Sequence, residues 1–438
     1  MLEYTHINNI NNRFCYKLIN TSDFYLIKEW SQKFTLISYL SSNNYYTKHK
    51  SAYSHNKYDF LLALNYNNSS KNHINSLSEL KKTQARQKDW LFGYFSYDLK
   101  NEIHNTSTNK KDKIGFGDLF FFNPDIVFYS KENQVYVESK EKINLIEFKK
   151  EINSDSTTIN TDFKISFKAK YSKNEYLQVV NMIKQDIQLG EIYELNFCQE
   201  FYNNSCYIDS WSVFKKLSSV SPTPFSAFFK QQESFLISAS PERFLLKNNR
   251  DVISQPIKGT IRKSKNNQDN SKLEKELRTN PKEQSENVMI VDLVRNDLSK
   301  TAIKSSVKVD ELFGIYPFKQ LYQMISTVSS VLKSKVDNTE LIESCFPMGS
   351  MTGAPKIRAM ELIEQYEKSK RGLYSGSVGY FAPNGDFDFN VVIRSLLYNS
   401  DTKYLSYTVG SAITIQSDPL KEYEECFLKA KAINDSLS

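Results

Sequence analysis

The sequence predicts an α+β fold with largely antiparallel β-sheets, and three observations lead to that class. Segments with helical and with strand periodicity are mixed along the chain, without the regular alternation of strand and helix that a doubly wound parallel sheet requires. The length of 438 residues exceeds the size at which one hydrophobic core usually stops growing. The apolar fraction is 40%, with 29 Phe and 27 Tyr, which favours an ordered globular protein. We therefore expect two packed regions or one double-layered domain.

The first strongly periodic helix is predicted after Ser172, where Tyr176, Val180 and Ile183 recur at helical spacing and Gly190 follows as a stop signal. A strand is expected to follow at 191–201. Alternation of apolar residues predicts further strands at 234–240, 378–382, 389–398 and 404–410. Helical periodicity predicts further helices at 282–298, 355–370 and 419–434.

One polar segment divides the chain into two regions. The residues EINSDSTTINTD at 151–162 lack periodicity and are typical of a connector. We expect an N-terminal region over 1–160 and a longer C-terminal region over 165–438.

Composition excludes several classes of function. Lys and Arg exceed Asp and Glu by seven (57 against 50), but the excess is spread along the chain, which disfavours nucleic-acid binding. The five cysteines show no CxxC spacing, so we expect neither a zinc site nor a disulfide framework. The longest apolar stretch, 114–122, is short and contains Asp118, and the N-terminus has no apolar signal segment. A cytoplasmic protein without a membrane span is expected.

The histidines are confined to the first quarter of the chain. A Ser-His-Asp or Cys-His mechanism is therefore excluded beyond residue 104, and chemistry there must use carboxylates, lysine, hydroxyls or a metal. The five histidines are His6, His49, His55, His73 and His104.

Two polar residues are candidates for acid-base or nucleophilic chemistry. Lys258 lies in SQPIKGT, on a segment that Pro256 and Gly259 constrain. A lone lysine is usually solvated, but burial would lower its pKa and leave a neutral nucleophile. Glu242, in SASPERF, precedes Lys258 by sixteen residues, so two neighbouring strands could present both groups together. The alternative is an ordinary surface carboxylate.

The C-terminal region holds candidates for cation and anion binding. Glu286 opens a predicted helix, where a glutamate can simply complement the helix dipole. Glu425 lies on the last helix, in a pattern that is typical of a salt-bridged face, although glutamates from two helices could also share Mg²⁺. The run PMGSMTGAPK places Gly349 and Thr352 before a helix, where N–H groups can cradle an anion. Arg394, in an apolar strand, could bind a carboxylate or lie at an edge.

Several motifs in fixed order resemble the chorismate-utilising enzyme family. That family includes aminodeoxychorismate synthase component I, anthranilate synthase component I, and the isochorismate and salicylate synthases. The resemblance covers Tyr171–Ala432 closely, and the N-terminal third more loosely through YSHNKYDF and DWLFGYFSYDL. The motifs are GEIYELNFCQ, SASPERF, PIKGT, ENVMIVDLVRNDL, MGSMTGAPKIRAMELIE, GSVGYF and EYEECFLKA.

The resemblance implies an anthranilate synthase component I-like fold of two stacked, roughly orthogonal antiparallel sheets with helices outside and the active site between the sheets. It implies that region 1–160 is the N-terminal part of this fold and that 165–438 is the chorismate-binding catalytic domain. It implies that Glu286 and Glu425 bind Mg²⁺, and that Tyr380 and Arg394 hold the enolpyruvyl carboxylate. The remaining residues implied to line the pocket are Thr352, Gly349 and Gly410.

Position 258 separates the members of the family. A lysine there resembles the aminodeoxychorismate branch, whereas the other branches typically carry alanine. The resemblance implies that the Lys258 amine attacks C2 of chorismate while Glu242, as general acid, assists departure of the C4 hydroxyl. Ammonia then enters at C4 and expels the lysine, giving 4-amino-4-deoxychorismate for p-aminobenzoate and folate synthesis.

Two departures from the family pattern leave alternatives open. Gln323 stands where many members carry a histidine that is tied to pyruvate elimination, and Gly410 is followed by Ser411 and Ala412 where relatives have glycines. The alternatives are anthranilate synthase component I, which Lys258 argues against, and a non-catalytic chorismate- or tryptophan-binding regulatory subunit.

No cysteine of the chain lies in a GxCxG elbow, the nucleophile motif of class I glutaminases. Ammonia must therefore come from solution or from a partner. The resemblance implies a separate glutamine amidotransferase subunit that forms a heterodimer with this chain.

Overall fold

The computed structural model describes residues 4–10, 13–18, 24–45, 57–65, 73–143, 165–264 and 266–437. The predicted connector at 151–162, together with His49 and His55, lies outside these ranges. Within them the helices are α1 Phe24–Trp30, α2 Leu77–Arg86, α3 Lys100–His104, α4 Lys173–Gln188, α5 Ser210–Val220, α6 Asn267–Thr279, α7 Pro281–Thr301, α8 Asn338–Cys345, α9 Lys356–Tyr366 and α10 Pro419–Asp435.

The strands form two sheets in which neighbouring strands are antiparallel. Strands β1–β10 are Tyr4–Ile10, Arg13–Leu18, Leu36–Ser41, Phe60–Asn65, His73–Ile74, Leu91–Phe95, Leu119–Phe122, Ile126–Lys131, Gln134–Ser139 and Lys168–Ala169. Strands β11–β19 are Glu194–Asn203, Phe225–Gln231, Ser234–Ser240, Arg243–Asn248, Asp251–Gln255, Ile257–Arg262, Lys308–Pro317, Leu321–Val331 and Gly353–Ala354. Strands β20–β23 are Ser377–Phe381, Phe387–Asn390, Ser395–Asn399 and Tyr404–Ile413.

The first sheet has the strand order β1-β2-β9-β8-β4-β3-β12-β13-β22-β23-β11-β10, and β19 pairs with β11. The second sheet has the order β16-β18-β15-β14-β21-β20-β6-β7-β5, and β17 pairs with β18. Strands that precede residue 160 therefore lie beside strands of the C-terminal region in both sheets. The division of the chain at 151–162 stays a prediction.

The two sheets pack face to face through a core that is rich in aromatic rings. Tyr94 of the second sheet makes an edge-on contact with Phe229 of the first, with ring centroids 5.5 Å apart. The Tyr94 hydroxyl also donates to Gln231 Oε1 at 2.9 Å. A pair of rings in this geometry adds to the stabilisation that burial of their surface provides. The predicted α+β class with two antiparallel sheets is confirmed.

Several predicted elements are confirmed, and local capping explains their ends. Ser172 and Glu175 form a capping box at the start of α4, in which each side chain accepts from the other residue's backbone N–H. The predicted strand at 234–240 is β13. The helix predicted to start at Lys282 begins at Pro281, because Asn280 caps the N–H groups of Lys282 and Glu283.

One prediction about the elements is wrong. The apolar run at 389–398 is not a single strand, because β21 ends at Asn390 in the second sheet and β22 begins at Ser395 in the first. Arg394 lies in the connection with a φ of 52°. The chain therefore crosses between the sheets at this point, and a left-handed backbone residue makes the change of direction.

The helix predicted at 355–370 is shorter than expected and ends at Tyr366. The following residue, Glu367, directs its carboxylate inward to the Arg371 guanidinium and to the Cys198 N–H. Those buried contacts hold 367–371 outside helical geometry. In the described part of the chain, no helix is both long and apolar enough to cross a membrane.

Candidate active site

A cavity of about 650 Å³ lies where strands of both sheets meet helices α7 and α10. Its walls combine apolar side chains with a high density of charged groups, as expected of a site for a small polar ligand. The charged residues that line it include Glu242, Lys258, Lys282, Glu283, Glu286, Arg394, Glu422, Glu425 and Lys429. Six of the nine candidate site residues from the sequence therefore line this one cavity, namely Glu242, Lys258, Glu286, Arg394, Gly410 and Glu425.

Lys258 lies on β16 with its side chain 11% exposed, and its Nζ donates to Glu194 Oε1 at 2.7 Å. Burial alone lowers the pKa of this ammonium, but the carboxylates of Glu194, Glu286 and Glu242 raise it above its ordinary value of 10.5. The expectation that burial would leave a neutral amine is therefore not met in this state. Lys258 is a buried cation, and it must lose a proton before it can act as a nucleophile.

Glu242 follows β13 and is 4% exposed. Burial raises the pKa of its carboxyl to about 7, although Ser350, Lys258 and Arg394 act in the opposite direction. The Ser350 hydroxyl donates to Glu242 Oε1 at 2.7 Å and fixes its orientation. A carboxyl that keeps its proton near neutral pH can serve as a general acid.

Helices α7 and α10 contribute an acidic cluster, formed by Glu283, Glu286, Glu422 and Glu425, to one wall of the cavity. The Lys282 ammonium lies between two of these carboxylates, 3.7 Å from Glu286 Oε1 and 3.8 Å from Glu422 Oε1. Burial raises the pKa of Glu286 to about 7. Because α7 begins at Pro281, Glu286 lies in its second turn and not at its start.

Glu425 differs from Glu286, because the Lys429 ammonium lies 2.7 Å from Glu425 Oε1 and lowers the pKa of that carboxyl. The spacing of four residues on α10 produces the salt bridge that the sequence pattern indicated. Lys429 also donates to the Gly410 carbonyl at 2.8 Å, which ties α10 to β23.

Arg394 lines the cavity from the connection between β21 and β22. Burial lowers the pKa of its guanidinium to about 10, against the effect of Glu242. A buried guanidinium in a cavity wall is suited to bind a carboxylate in bidentate fashion.

Tyr380 does not reach this cavity. It packs against Tyr58, Trp90 and Phe92, with ring centroids about 6 Å apart, and it borders a separate, smaller cavity. Tyr374 lines the main cavity instead. Side chains of a strand alternate between its two faces. Tyr380 of β20 points to the face that carries Tyr58, Trp90 and Phe92 of the N-terminal region.

Only part of the loop at 347–355 reaches the cavity. Ser350 and Met351 line the cavity, whereas Gly349 packs against Leu293 and is not part of the wall. Thr352 is fully buried, and its hydroxyl donates to the Met348 carbonyl at 3.1 Å. The structure therefore brings this loop to the cavity through the two residues between Gly349 and Thr352.

Gly410 lines the cavity at a point where a larger residue cannot stand. A Cβ atom there would lie 2.4 Å from Cys198 Sγ and 3.2 Å from the Phe197 carbonyl oxygen. The close approach of β23 to β11 thus requires a glycine.

The sequence reasoning missed several residues of the site. Glu194, Lys282, Ser350 and Tyr374 contact or line the cavity and its charged groups. Lys282 could have been found from its spacing of four to Glu286, which places both on one face of α7. Glu194 gave no such signal, because its partner Lys258 is 64 residues away.

Gln323, the departure noted in the sequence, also lines the cavity. Its side chain is 2% exposed, and its Oε1 has no hydrogen-bond donor among the residues that the structure describes. A buried carbonyl without a donor is costly, so a bound ligand that supplies one would gain affinity.

The acidic cluster has some of the features of a metal site and lacks others. Within the described ranges, no three carboxylate, imidazole or thiol groups converge as a ligand set. Two carboxylates with water still suit Mg²⁺, which keeps part of its hydration shell. Glu286 Oε1 is buried and has no hydrogen-bond donor in the described part of the chain, and Lys282 already balances the cluster as a cation. The feature of the cluster that suits a hard cation is therefore the buried Glu286 Oε1, which has no hydrogen-bond donor among the described residues.

Comparison with known proteins adds a family context. The sequence model of a family described as chorismate binding enzyme matches residues 35–435. Aminodeoxychorismate synthase component 1 of Bacillus subtilis is 31% identical over an alignment of 360 residues, and the match covers 79% of this chain and 76% of that protein. The menaquinone-specific isochorismate synthase of Escherichia coli superposes with a TM-score of 0.78 at 14% identity, over 100% of this chain and 95% of that one. That likeness shows a shared fold.

A probable chloroplastic aminodeoxychorismate synthase of rice, Oryza sativa subsp. japonica, is 40% identical over 286 residues. The match covers 64% of this chain but 32% of the rice protein. The chain therefore spans about a third of the length of that relative.

Proposed function

Since the chain belongs to the family of chorismate-binding enzymes, we propose that it aminates chorismate to 4-amino-4-deoxychorismate, as an aminodeoxychorismate synthase component I. The observation that carries the proposal is the buried Lys258 ammonium, which shares one cavity with Glu242. In the family resemblance, a lysine at this position is typical of the aminodeoxychorismate branch. The relatives in Bacillus subtilis and rice bear names of that branch.

Each charged group has a part in the proposed reaction. The neutral Lys258 amine attacks C2 of the ring, and Glu242, which keeps its proton near pH 7, protonates the departing C4 oxygen. Ammonia then attacks C4 and expels the lysine amine. Arg394 binds a carboxylate of the substrate, and the pyruvyl ether remains intact.

We also propose that Glu286 and Glu425 hold Mg²⁺, which would bind and orient the ring carboxylate of chorismate. The buried, donor-free Glu286 Oε1 supports this assignment. Metal binding and the nearby ammonium groups of Lys282 and Lys429 would then compensate the charge of the cluster together.

We propose that ammonia comes from a separate glutamine amidotransferase subunit in a cytoplasmic heterodimer. The five cysteines are buried, so a glutaminase nucleophile within the described residues is not supported.

Tyr380, Thr352 and Gly349 would support the site indirectly, since they lie behind its walls.

The test is to incubate the purified chain with chorismate, Mg²⁺ and an ammonium salt, with and without aminodeoxychorismate lyase, and to identify the products by mass. p-Aminobenzoate that forms only with the lyase supports the proposal, and the Lys258→Ala variant should then be inactive. Anthranilate or salicylate formed without the lyase would refute it. Chorismate binding without turnover would favour a regulatory binding subunit.

A further inference from the structure

Glu194 lies beneath the cavity at the start of β11 and is 1% exposed. Its Oε1 accepts the hydrogen bond from Lys258 Nζ at 2.7 Å. Its Oε2 is also buried, and no donor from the described ranges reaches it. A buried oxygen without a donor is costly, and the other oxygen of the same carboxylate contacts the atom on which the proposed chemistry depends.

We propose that Glu194 is the base that takes the proton from Lys258 Nζ before the amine attacks the substrate. The inference rests on the proposed function and adds a catalytic residue to it. Without such a base, the Lys258 ammonium has no lone pair for attack, and its neighbourhood of carboxylates holds the proton on nitrogen.

The other acidic groups that face Lys258 are committed elsewhere. Glu242 must carry a proton to the leaving oxygen, and the Ser350 hydroxyl already binds it. On α7 and α10, Glu286 and Glu425 are the proposed magnesium ligands, and Glu283 packs beside Gly259. Glu194 is the carboxylate in direct hydrogen-bond contact with Nζ, which is the geometric requirement for a base.

The backbone around Glu194 holds this contact rigidly. Strand β11 pairs with β19, with Glu194 opposite Ala354. The Tyr193 N–H donates to the Ala354 carbonyl at 2.7 Å, and the Asn196 N–H donates to the Thr352 carbonyl at 2.8 Å. Hydrogen bonds on both sides of Glu194 therefore fix the backbone that carries its carboxylate, and the contact with Lys258 orients the carboxylate itself.

The proton balance closes over one cycle. The Nζ–H bond breaks and its proton moves to Glu194, so the nitrogen lone pair forms the C2–N bond. The ring double bonds shift, and the C4–O bond breaks as the Glu242 proton makes water. Ammonia forms the C4–N bond, the double bonds shift back, and the C2–N bond breaks to release neutral lysine. The C4 ammonium returns a proton to Glu242, and Glu194 returns its proton to Lys258.

The first experiment follows formation of the covalent lysine adduct by intact-protein mass spectrometry, after chorismate and Mg²⁺ are mixed with enzyme in the absence of ammonia. Glu194→Gln keeps the hydrogen-bond acceptor but removes the base. We expect its rate of adduct formation to fall about 100-fold or more at every pH between roughly 6 and 9. If Glu194 acted only through its charge, its removal would make Lys258 easier to deprotonate. An unchanged rate, or a faster rate near neutral pH, would therefore overturn the inference.

A second variant guards against a purely structural effect. Glu194→Ala leaves space for a small carboxylate, so added formate should restore adduct formation in this variant but not in Glu194→Gln. Absence of rescue in a folded Glu194→Ala protein that still binds chorismate would contradict the role of base. The matched control is Glu191→Gln, since Glu191 is 44% exposed and pairs with Arg358. A wild-type enzyme that forms neither adduct nor aminated product refutes the proposed function itself.

Discussion

At the scale of single residues, Glu242 and Lys258 show how one cavity holds an acid and a cation side by side. Burial favours the neutral form of both groups. The carboxylates around Lys258 outweigh that effect, whereas the Lys258 and Arg394 cations beside Glu242 do not. The carboxyl therefore keeps its proton near pH 7 while the amine stays charged. Their different surroundings, and not their residue types, assign their roles.

The raised pKa of Glu242 makes stability depend on pH. Since the folded protein holds this proton until about pH 7 and the unfolded chain loses it near 4.5, the contribution to the free energy of unfolding is complete below pH 4.5. This contribution, about 3 kcal/mol at most, is lost as the pH rises through 7. Glu242→Gln should therefore be more stable than the wild type at pH 8 and similar to it at pH 5, and its amination rate should fall at least 100-fold.

Urea unfolding of both proteins at the two pH values measures this effect. Glu276→Gln changes an exposed residue of α6 and serves as the control. It should change the free energy of unfolding only slightly, and by the same amount, at pH 5 and at pH 8. A Glu242→Gln protein that gains nothing at pH 8 would show that the carboxyl ionises normally in the fold.

Some residues of the site could be predicted from the sequence, and others could not. Lys258 stood out because Pro256 and Gly259 constrain its segment, and it lies in the cavity. Tyr380 was expected in the pocket, and the structure places it behind the sheet. A motif identifies strand β20, but it does not report which face of that strand meets the cavity, and the tyrosine that lines the cavity, Tyr374, lies in the turn before β20.

At the scale of elements, β16 presents Lys258 through an irregular pairing. The register between β16 and β18 shifts between Ile257 and Thr260, and Gly259 has a φ of 99°. A Cβ atom at Gly259 would lie 3.1 Å from Glu283 Oε2 and 3.2 Å from Met324 Cβ. The bulge therefore depends on glycine for its backbone angle and for the space around it.

Gly259→Ala should lower the amination rate at least tenfold, because crowding displaces Lys258 from Glu194, and should cost about 1–2 kcal/mol of stability. Gly190→Ala is the matched control. Gly190 has a similar φ of 82°, with no atom within 4 Å of its Cβ position, so that variant should show the strain without the loss of activity. Kinetic assays and urea unfolding compare the two, and equal activity would contradict the dependence of Lys258 on the bulge.

The end of α9 is tied to β11 by a buried ion pair. Glu367 and Arg371 have side-chain exposures of 4% and 2%, and Arg371 also donates to the carbonyls of Met351 and Asn196. Glu367→Ala should destabilise the protein by about 3–5 kcal/mol, because it leaves a buried guanidinium without its counter-charge. Glu361→Ala removes a half-exposed partner of Arg358 on the same helix and should change stability by less than about 1 kcal/mol. Thermal and urea unfolding test the difference, and similar losses in both variants would contradict it.

Helix positions were predicted more reliably than the strand connections. The periodic apolar residues of α4 and its capping box are local signals, so the sequence alone was sufficient there. The run at 389–398 reads as one strand because Val391 and Val392 of the connection are apolar and fully buried, like a strand interior. The change of sheet between β21 and β22 is set by partners that are distant in the sequence, which periodicity does not report.

At the scale of the whole molecule, both sheets are built from strands of both halves of the chain. β3 pairs with β12 in the first sheet, and β6 pairs with β20 in the second. Residues 165–438 produced alone should therefore lack a cooperative unfolding transition and amination activity, since β12 and β20 would expose unpaired edges. Circular dichroism melting and the coupled lyase assay test this.

Coexpression of residues 1–160 with residues 165–438 is the control and should restore both properties. An isolated C-terminal fragment that unfolds cooperatively and is active would support the boundary as one between independent domains.

The shared sheets also order events during synthesis. The aromatic strand β6 can pair with β7 soon after both are made, but its partner on the other edge, β20, follows about 280 residues later (377 minus 95), where Ser377 pairs with Phe95. At roughly 5–20 residues per second, Leu91–Phe95 waits about 14–56 s on the ribosome. During that interval the nascent chain carries the aggregation-prone sequence LFGYF without its partner strand β20. The yield of active protein in a cell should therefore depend on chaperones that bind the growing chain.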